Sequence, residues 1–191
     1  SVAESALYQS QSSKGAVGLW QFMEGTARSH GLRVDKFVDE RRNVEKSTYA
    51  AMKYLKNGYS AHKSWFLTFA GYNMGNAGIS RALDYQFGES FFDLYLNEET
   101  SRYIFRIAVI KEIMSNPAKY GFSFPKDEQY KPVKTKIITV DSSISDVSNW
   151  AKANKTSYKY VKLLNPWILE RSLPAPKSGE KWEIEVPEEN K

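Results

Sequence analysis

The chain breaks its pattern once, between Gly121 and Thr135, and that break limits what the whole can fold into. Phe124-Pro125 through Tyr130-Lys131-Pro132 is polar, marked by prolines and without a period, as linkers are. Before it, apolar residues recur at helical spacing. After it, the β-branched run Thr135-Lys136-Ile137-Ile138-Thr139-Val140 reads as a strand. The expected organisation is a helical domain over 1–121, a linker over 122–134 and a small module over 135–191. With 191 residues, 41% of them hydrophobic, the chain can bury a core of ordinary size.

The helical part is read from period and punctuation. Residues 1–9 read as a short helix, and Gly15 and Gly18 mark an extended or looped block through Met23 that needs backbone freedom. A helix over 24–30 stops at Gly31, and Asn43 caps one over 44–57 with Ala51, Met52 and Leu55 as its buried stripe. An aromatic-rich helix follows over 64–73, and Gly75, Asn76 and Gly78 break it before a short helix over 79–86. The clearest helix spans 98–115, where Tyr103, Ile107, Ile110 and Met114 keep the 3.6-residue period and Asn116-Pro117 ends it. In the module, helices over 143–153 and 157–164 lie between the first strand and a second over 181–186. The fold class expected is mainly α, followed by a small βααβ unit.

Charge and composition exclude several functions. The net charge of +5 comes from 27 basic and 22 acidic side chains, and no basic run is longer than Arg41-Arg42. Nucleic-acid readers cluster their basic residues, so no nucleic-acid partner is expected. There is no cysteine for a thiolate site. His30 and His62 are the only histidines and lack ligand spacing, so neither a metal nor a cofactor is expected. No stretch has the ~20 apolar residues that span a bilayer. The chain begins inside a helical pattern, so an upstream segment carrying any targeting or membrane attachment is expected to precede Ser1.

The remaining chemistry lies in carboxylates and aromatics. Glu4 sits among Val2, Ala3, Ala6 and Leu7, and apolar neighbours raise a carboxyl pKa by disfavouring its ionised form. An acid so tuned can protonate a glycosidic oxygen. Trp20, Gln21, Tyr72 and Asn73 are of the types that face and hydrogen-bond sugar rings. Asp39-Glu40-Arg41-Arg42 reads as an ion-pair knot holding a loop.

Several of these stretches occur together in a recognisable order. Glu4-Ser5, Gly15-Ala16-x-Gly18-Leu19-Trp20-Gln21-Phe22-Met23, Thr26-Ala27, Gly31-Leu32, Ala70-x-Tyr72-Asn73-x-Gly75 and Glu99-Thr100-x-x-Tyr103 follow one another along residues 1–120. In this the chain resembles the catalytic domain of the soluble-lytic-transglycosylase superfamily, most of all its membrane-bound lytic murein transglycosylase D type. Two positions depart from the pattern: Gly71 precedes Tyr72, and Glu24 stands where many relatives have proline.

The resemblance implies a lysozyme-like helical domain whose groove binds peptidoglycan glycan strands. It implies Glu4 as the catalytic acid, with Ser5 orienting it. Gly18, Leu19, Trp20 and Gln21 would line the groove, and Tyr72, Asn73 and Tyr103 would complete the substrate-binding set. It further implies a single carboxyl used twice, first as acid on the N-acetylmuramic acid–N-acetylglucosamine linkage. As base it would then activate the muramic C6 hydroxyl, leaving a 1,6-anhydromuramyl end. A goose-type-lysozyme-like hydrolase with Asp39 or Glu40 as second carboxylate is the nearest alternative, and an inactive glycan-binding envelope protein is another.

The tail resembles a LysM domain through its strand–helix–helix–strand order, Leu163-Leu164-Asn165-Pro166 and Ile184-x-Val186-Pro187. Asp141-Ser142-Ser143-Ile144 replaces the Gly-Asp-Thr-Leu-like turn usual there, which leaves glycan binding and simple buttressing both open. The location implied is the bacterial cell envelope, in the periplasm or associated with the outer membrane. Oligomeric state is not legible.

Overall fold

The computed structural model describes residues 1–188. Among them are eight α-helices and one two-stranded antiparallel sheet at the C-terminal end. This is the mainly helical architecture with a βααβ tail that the sequence pattern predicts.

Helix α1 is short, Val2–Ser5, and ends where Ala6 and Leu7 take positive φ. The segment through Met23 folds back on itself, with Val17 and Phe22 exchanging backbone hydrogen bonds. Helix α2 spans Glu24–Ser29, and Gly31 follows it at φ 87°.

Helix α3, Val44–His62, is capped by the Asn43 side chain, which accepts from Lys46 N. It runs five residues beyond the expected end at 57. Gly58, just past that expected end, sits within the helix and faces Thr68, whose Cγ2 would lie 3.2 Å from an added Cβ. Of the expected stripe, Ala51 is buried and Leu55 half-buried, while Met52 is exposed. Ser47, Ala50 and Gly58 are buried alongside Ala51. Small residues recur there because helix backbones approach closely at the crossing.

Helix α4, Trp65–Met74, starts at the Ser64 cap and stops at Gly75, φ 89°. Helix α5, Asn76–Gln86, begins three residues earlier than expected because one glycine is enough to turn the chain. Helix α6, Glu98–Ser115, matches the expected bounds and is capped by Asn97. Its N-terminal half buries Tyr103 and Ile104 in a core with Leu67, Ala70, Ile79 and Phe91. Its other half leaves Met114 exposed.

Strand β1, Thr135–Val140, pairs with β2, Trp182–Pro187, with Ile138 opposite Ile184. Trp182, Ile184 and Val186 face inward and Glu183 outward, the period-two alternation of a sheet with one covered face. Helices α7, Val147–Ala153, and α8, Tyr158–Leu164, close that face, capped by Asp146 and Ser157. The core so formed takes in one residue from the helical part, Val38, which is fully buried in it.

Candidate active site

The site is built from three segments that the sequence keeps far apart. Glu4 stands on α1 and Tyr103 on α6, and the Tyr103 hydroxyl donates to Glu4 Oε1. One helical turn earlier, the buried Thr100 donates to Asn73 Oδ1 at 2.8 Å. Residues 100 and 103 share a face of α6, so this spacing lets one helix hold both an acid and an amide. Glu4 also lies near Arg106 and Glu99, whose fields oppose one another.

Burial decides the protonation state here. It pushes the Glu4 carboxyl above the usual carboxylate range, against the Tyr103 hydrogen bond and the nearby Arg106, which both favour the ionised form. Tyr103 and Tyr72 are pushed well above the ordinary phenol value, first by burial and then by the Glu4 charge. Both phenols therefore stay protonated as donors, while Glu4 retains a proton to higher pH than an exposed glutamate does.

The Gly15–Met23 segment forms the wall beside Glu4. Ser5 Oγ donates to the Leu19 carbonyl at 3.0 Å, tying that wall to the helix carrying Glu4. The Tyr72 hydroxyl donates to the Trp20 carbonyl at 2.9 Å, and the two rings meet edge to face. Trp20 Nε1 reaches Thr48 Oγ1 on α3. The Gln21 amide nitrogen donates to Ser10 and to the Gly18 carbonyl, so its donor side braces the turn. Gly18 has φ +84°, and a Cβ there would lie 2.0 Å from the Arg41 carbonyl oxygen. Only glycine meets both demands.

Of the predicted set, Glu4 and Tyr103 touch directly, Ser5 and Tyr72 hold carbonyls of the Leu19–Trp20 wall, and Asn73 is held by Thr100. Trp20, Tyr72 and Tyr103 line one apolar pocket of ≈ 470 Å³ with Phe69, Leu55 and Ile107. A wider cleft of ≈ 1720 Å³, between α3 and the C-terminal sheet, contains Glu40 of the hydrolase alternative and none of the residues predicted for the transglycosylase site.

The remaining carboxylates of the first segments are committed elsewhere. Asp39 is buried against Arg41, with Nε and Nη2 bonds of 2.9 and 2.8 Å. Glu40 accepts from Arg33 N at 2.7 Å and from Lys46 Nζ at 2.5 Å. Glu24 is exposed and paired with Arg28 one turn on, so the charge at this departure from the family pattern is balanced. Two residues escaped sequence reasoning: Thr100, visible only as part of a motif, and Arg41, whose contacts beyond Asp39 involve backbone carbonyls that leave no sequence trace.

Residues 2–94 match the family described as Transglycosylase SLT domain, and residues 136–190 the Soluble lytic transglycosylase C-terminal LysM-like domain. The chain is similar to Membrane-bound lytic murein transglycosylase D of Escherichia coli strain K12, 27% identical over 149 residues, which is 75% of this chain and 33% of that protein. The protein of the same name from Escherichia coli O6:H1, strain CFT073, matches to the same extent. The chain thus spans about a third of the length of these curated relatives. Residues 2–94 are thus a transglycosylase SLT domain, followed over 136–190 by the LysM-like domain of soluble lytic transglycosylases.

Proposed function

We propose that this chain is a peptidoglycan lytic transglycosylase of the cell envelope, with Glu4 as its catalytic acid and base. The observation that carries the reading is the single carboxyl, raised by burial and held by Tyr103, at a wall of aromatic and amide side chains. In this reading residues 1–121 supply the groove, 122–134 link, and 135–191 form the LysM-like module, a division supported by matches over 2–94 and 136–190.

Tyr103 occupies Glu4 Oε1, so Oε2 is the oxygen that faces the glycan. Protonated Glu4 gives its proton to the oxygen bridging C1 of N-acetylmuramic acid and C4 of N-acetylglucosamine, and the C1–O bond breaks. The adjacent N-acetyl group stabilises the positive charge developing at C1, as in glycosidases that work without a second carboxylate. Glu4, now ionised, takes the proton from the C6 hydroxyl as O6 bonds to C1. The products are a 1,6-anhydromuramyl end and a free 4-hydroxyl, with Glu4 again protonated and no water consumed. Asp39 and Glu40, the candidates for a water-activating carboxylate, are both engaged by cations, which favours this route over hydrolysis. Ser5, Gly18, Leu19, Trp20, Gln21, Tyr72 and Asn73 make up the groove that orients the sugars.

Mass spectrometry of muropeptides released from purified peptidoglycan tests the reading. Anhydromuramyl ends are expected from the native chain and none from Glu4→Gln. Reducing ends, or turnover surviving in Glu4→Gln, would overturn it.

A further inference from the structure

The segment between Arg33 and Arg42 enters two structures at once. On one side it joins the C-terminal core. Val38 is fully buried among Ile144, Val161, Trp167, Ile168 and Trp182. Its neighbours add a short antiparallel pairing, in which Asp39 N donates to the Trp167 carbonyl at 2.9 Å and Leu169 N to the Phe37 carbonyl at 2.9 Å. The module braces its own partner strip, since Lys162 Nζ donates to the carbonyls of Ile168 and Leu169.

On the other side the same segment grips the groove wall. Arg41 is buried, and its Nη1 donates to the Gly15 carbonyl at 3.0 Å and the Phe22 carbonyl at 3.1 Å. Those two carbonyls bracket the turn that carries Gly18, Leu19, Trp20 and Gln21. The guanidinium is held from behind by Asp39, and the Arg41 carbonyl packs on Gly18. Asp39 is thus the shared residue: its backbone N–H is fixed by the module and its carboxylate fixes Arg41.

We propose that Arg41 is a positioning residue for the Gly15–Phe22 wall, and that the LysM-like module sets the wall's order through Val38 and Asp39. The module then contributes to turnover by a mechanical route, whether or not it touches glycan. A buried planar fork reaching two carbonyls and a carboxylate is a task lysine cannot perform, because an ammonium lacks the rigid spread of donors. A wall displaced by even ~1 Å lowers the rate much more than it weakens binding. The effect on turnover rests on the proposed transglycosylase reading; the effect on the wall's order does not.

The test uses the full chain with Val38→Ala, Val38→Ile and Arg41→Lys, reading amide hydrogen exchange and steady-state kinetics on peptidoglycan. The reporting amides are Val17, Gly18 and Phe22, bonded to the Phe22, Ser10 and Val17 carbonyls. Val38→Ala and Arg41→Lys are expected to speed exchange there, leave α6 unchanged, and lower kcat about tenfold or more with KM within about twofold. Val38→Ile, which keeps the apolar insertion, is expected to behave as the native chain. Faster exchange in Val38→Ala confined to the module and residues 35–39, or a loss wholly in KM, would overturn the proposal. Should Val38→Ala unfold the module, an unchanged wall in that variant or in Arg41→Lys overturns it equally. Exchange is read without substrate, so reducing-end products would overturn the transglycosylase reading and leave the relay standing.

Discussion

At the scale of the residue, the proposed reaction rests on one proton. Replacing Glu4 by Gln keeps shape and removes the acid, and turnover is expected to fall by about 10²–10⁴ or more, the range of general acid–base catalysis. The same change has a signed effect on stability. Because burial raises the folded-state value of Glu4 above the unfolded one, the folded chain keeps a proton that the unfolded chain releases. That contribution is complete below the ordinary carboxyl value and is lost as pH rises through the raised one. The Gln variant has no such loss, so urea midpoints should show it gaining on the native chain between acidic and neutral pH. Tyr103→Phe removes the hydrogen bond that favours ionised Glu4, so the alkaline limb of the rate profile should move to higher pH with kcat reduced. An unmoved limb would mean that Tyr103 supports Glu4 by packing alone. Gly18→Ala combines positive φ with a clash against backbone, and a loss of about 2 kcal/mol or more in thermal or urea unfolding is expected.

At the scale of the element, α3, α4 and α5 meet without room for ordinary side chains. A Cβ on Gly71 would lie 2.3 Å from Asn76 Oδ1, an atom that is itself buried and without a hydrogen-bond partner. Gly71→Ala alone should therefore cost about 1–3 kcal/mol, the range for an overpacked core. Combined with Asn76→Ala it should cost much less, since the second change removes both the clash and an unsatisfied carbonyl. A double-mutant cycle in urea measures the coupling, and additivity would refute the steric account. The same junction shows what pattern reading can and cannot see. Helix α6 was legible to the residue because its period is strong and Asn116-Pro117 marks its end. The end of α3 was not, because Gly58 has the composition of a stop and the function of a close contact. In the site, the types of Glu4, Trp20, Tyr72 and Asn73 pointed to glycan chemistry, and their order pointed to the family. That Ser5 and Tyr72 bind the wall's carbonyls was illegible, since an acceptor in the main chain is the same for every residue.

At the scale of the whole molecule, the helical part and the C-terminal module share buried residues through Phe37–Asp39. A βααβ unit of this size buries little core by itself. Heat should accordingly unfold the chain in one transition, with calorimetric and van't Hoff enthalpies equal; two resolved transitions would show that the shared segment does not couple them. The groove wall is held at Leu19 by Ser5, at Trp20 by Tyr72, and at Gly15 and Phe22 by Arg41, always through the main-chain oxygen. At Leu19 the frame is thereby separate from the side chain, whereas the Trp20 and Gln21 side chains also brace the wall. The Leu19 side chain has no share in the bonds that fix its backbone, so lineages, or a saturation library, are free to exchange it. If the wall faces glycan as proposed, new preferences are open there to evolution at little risk to the fold.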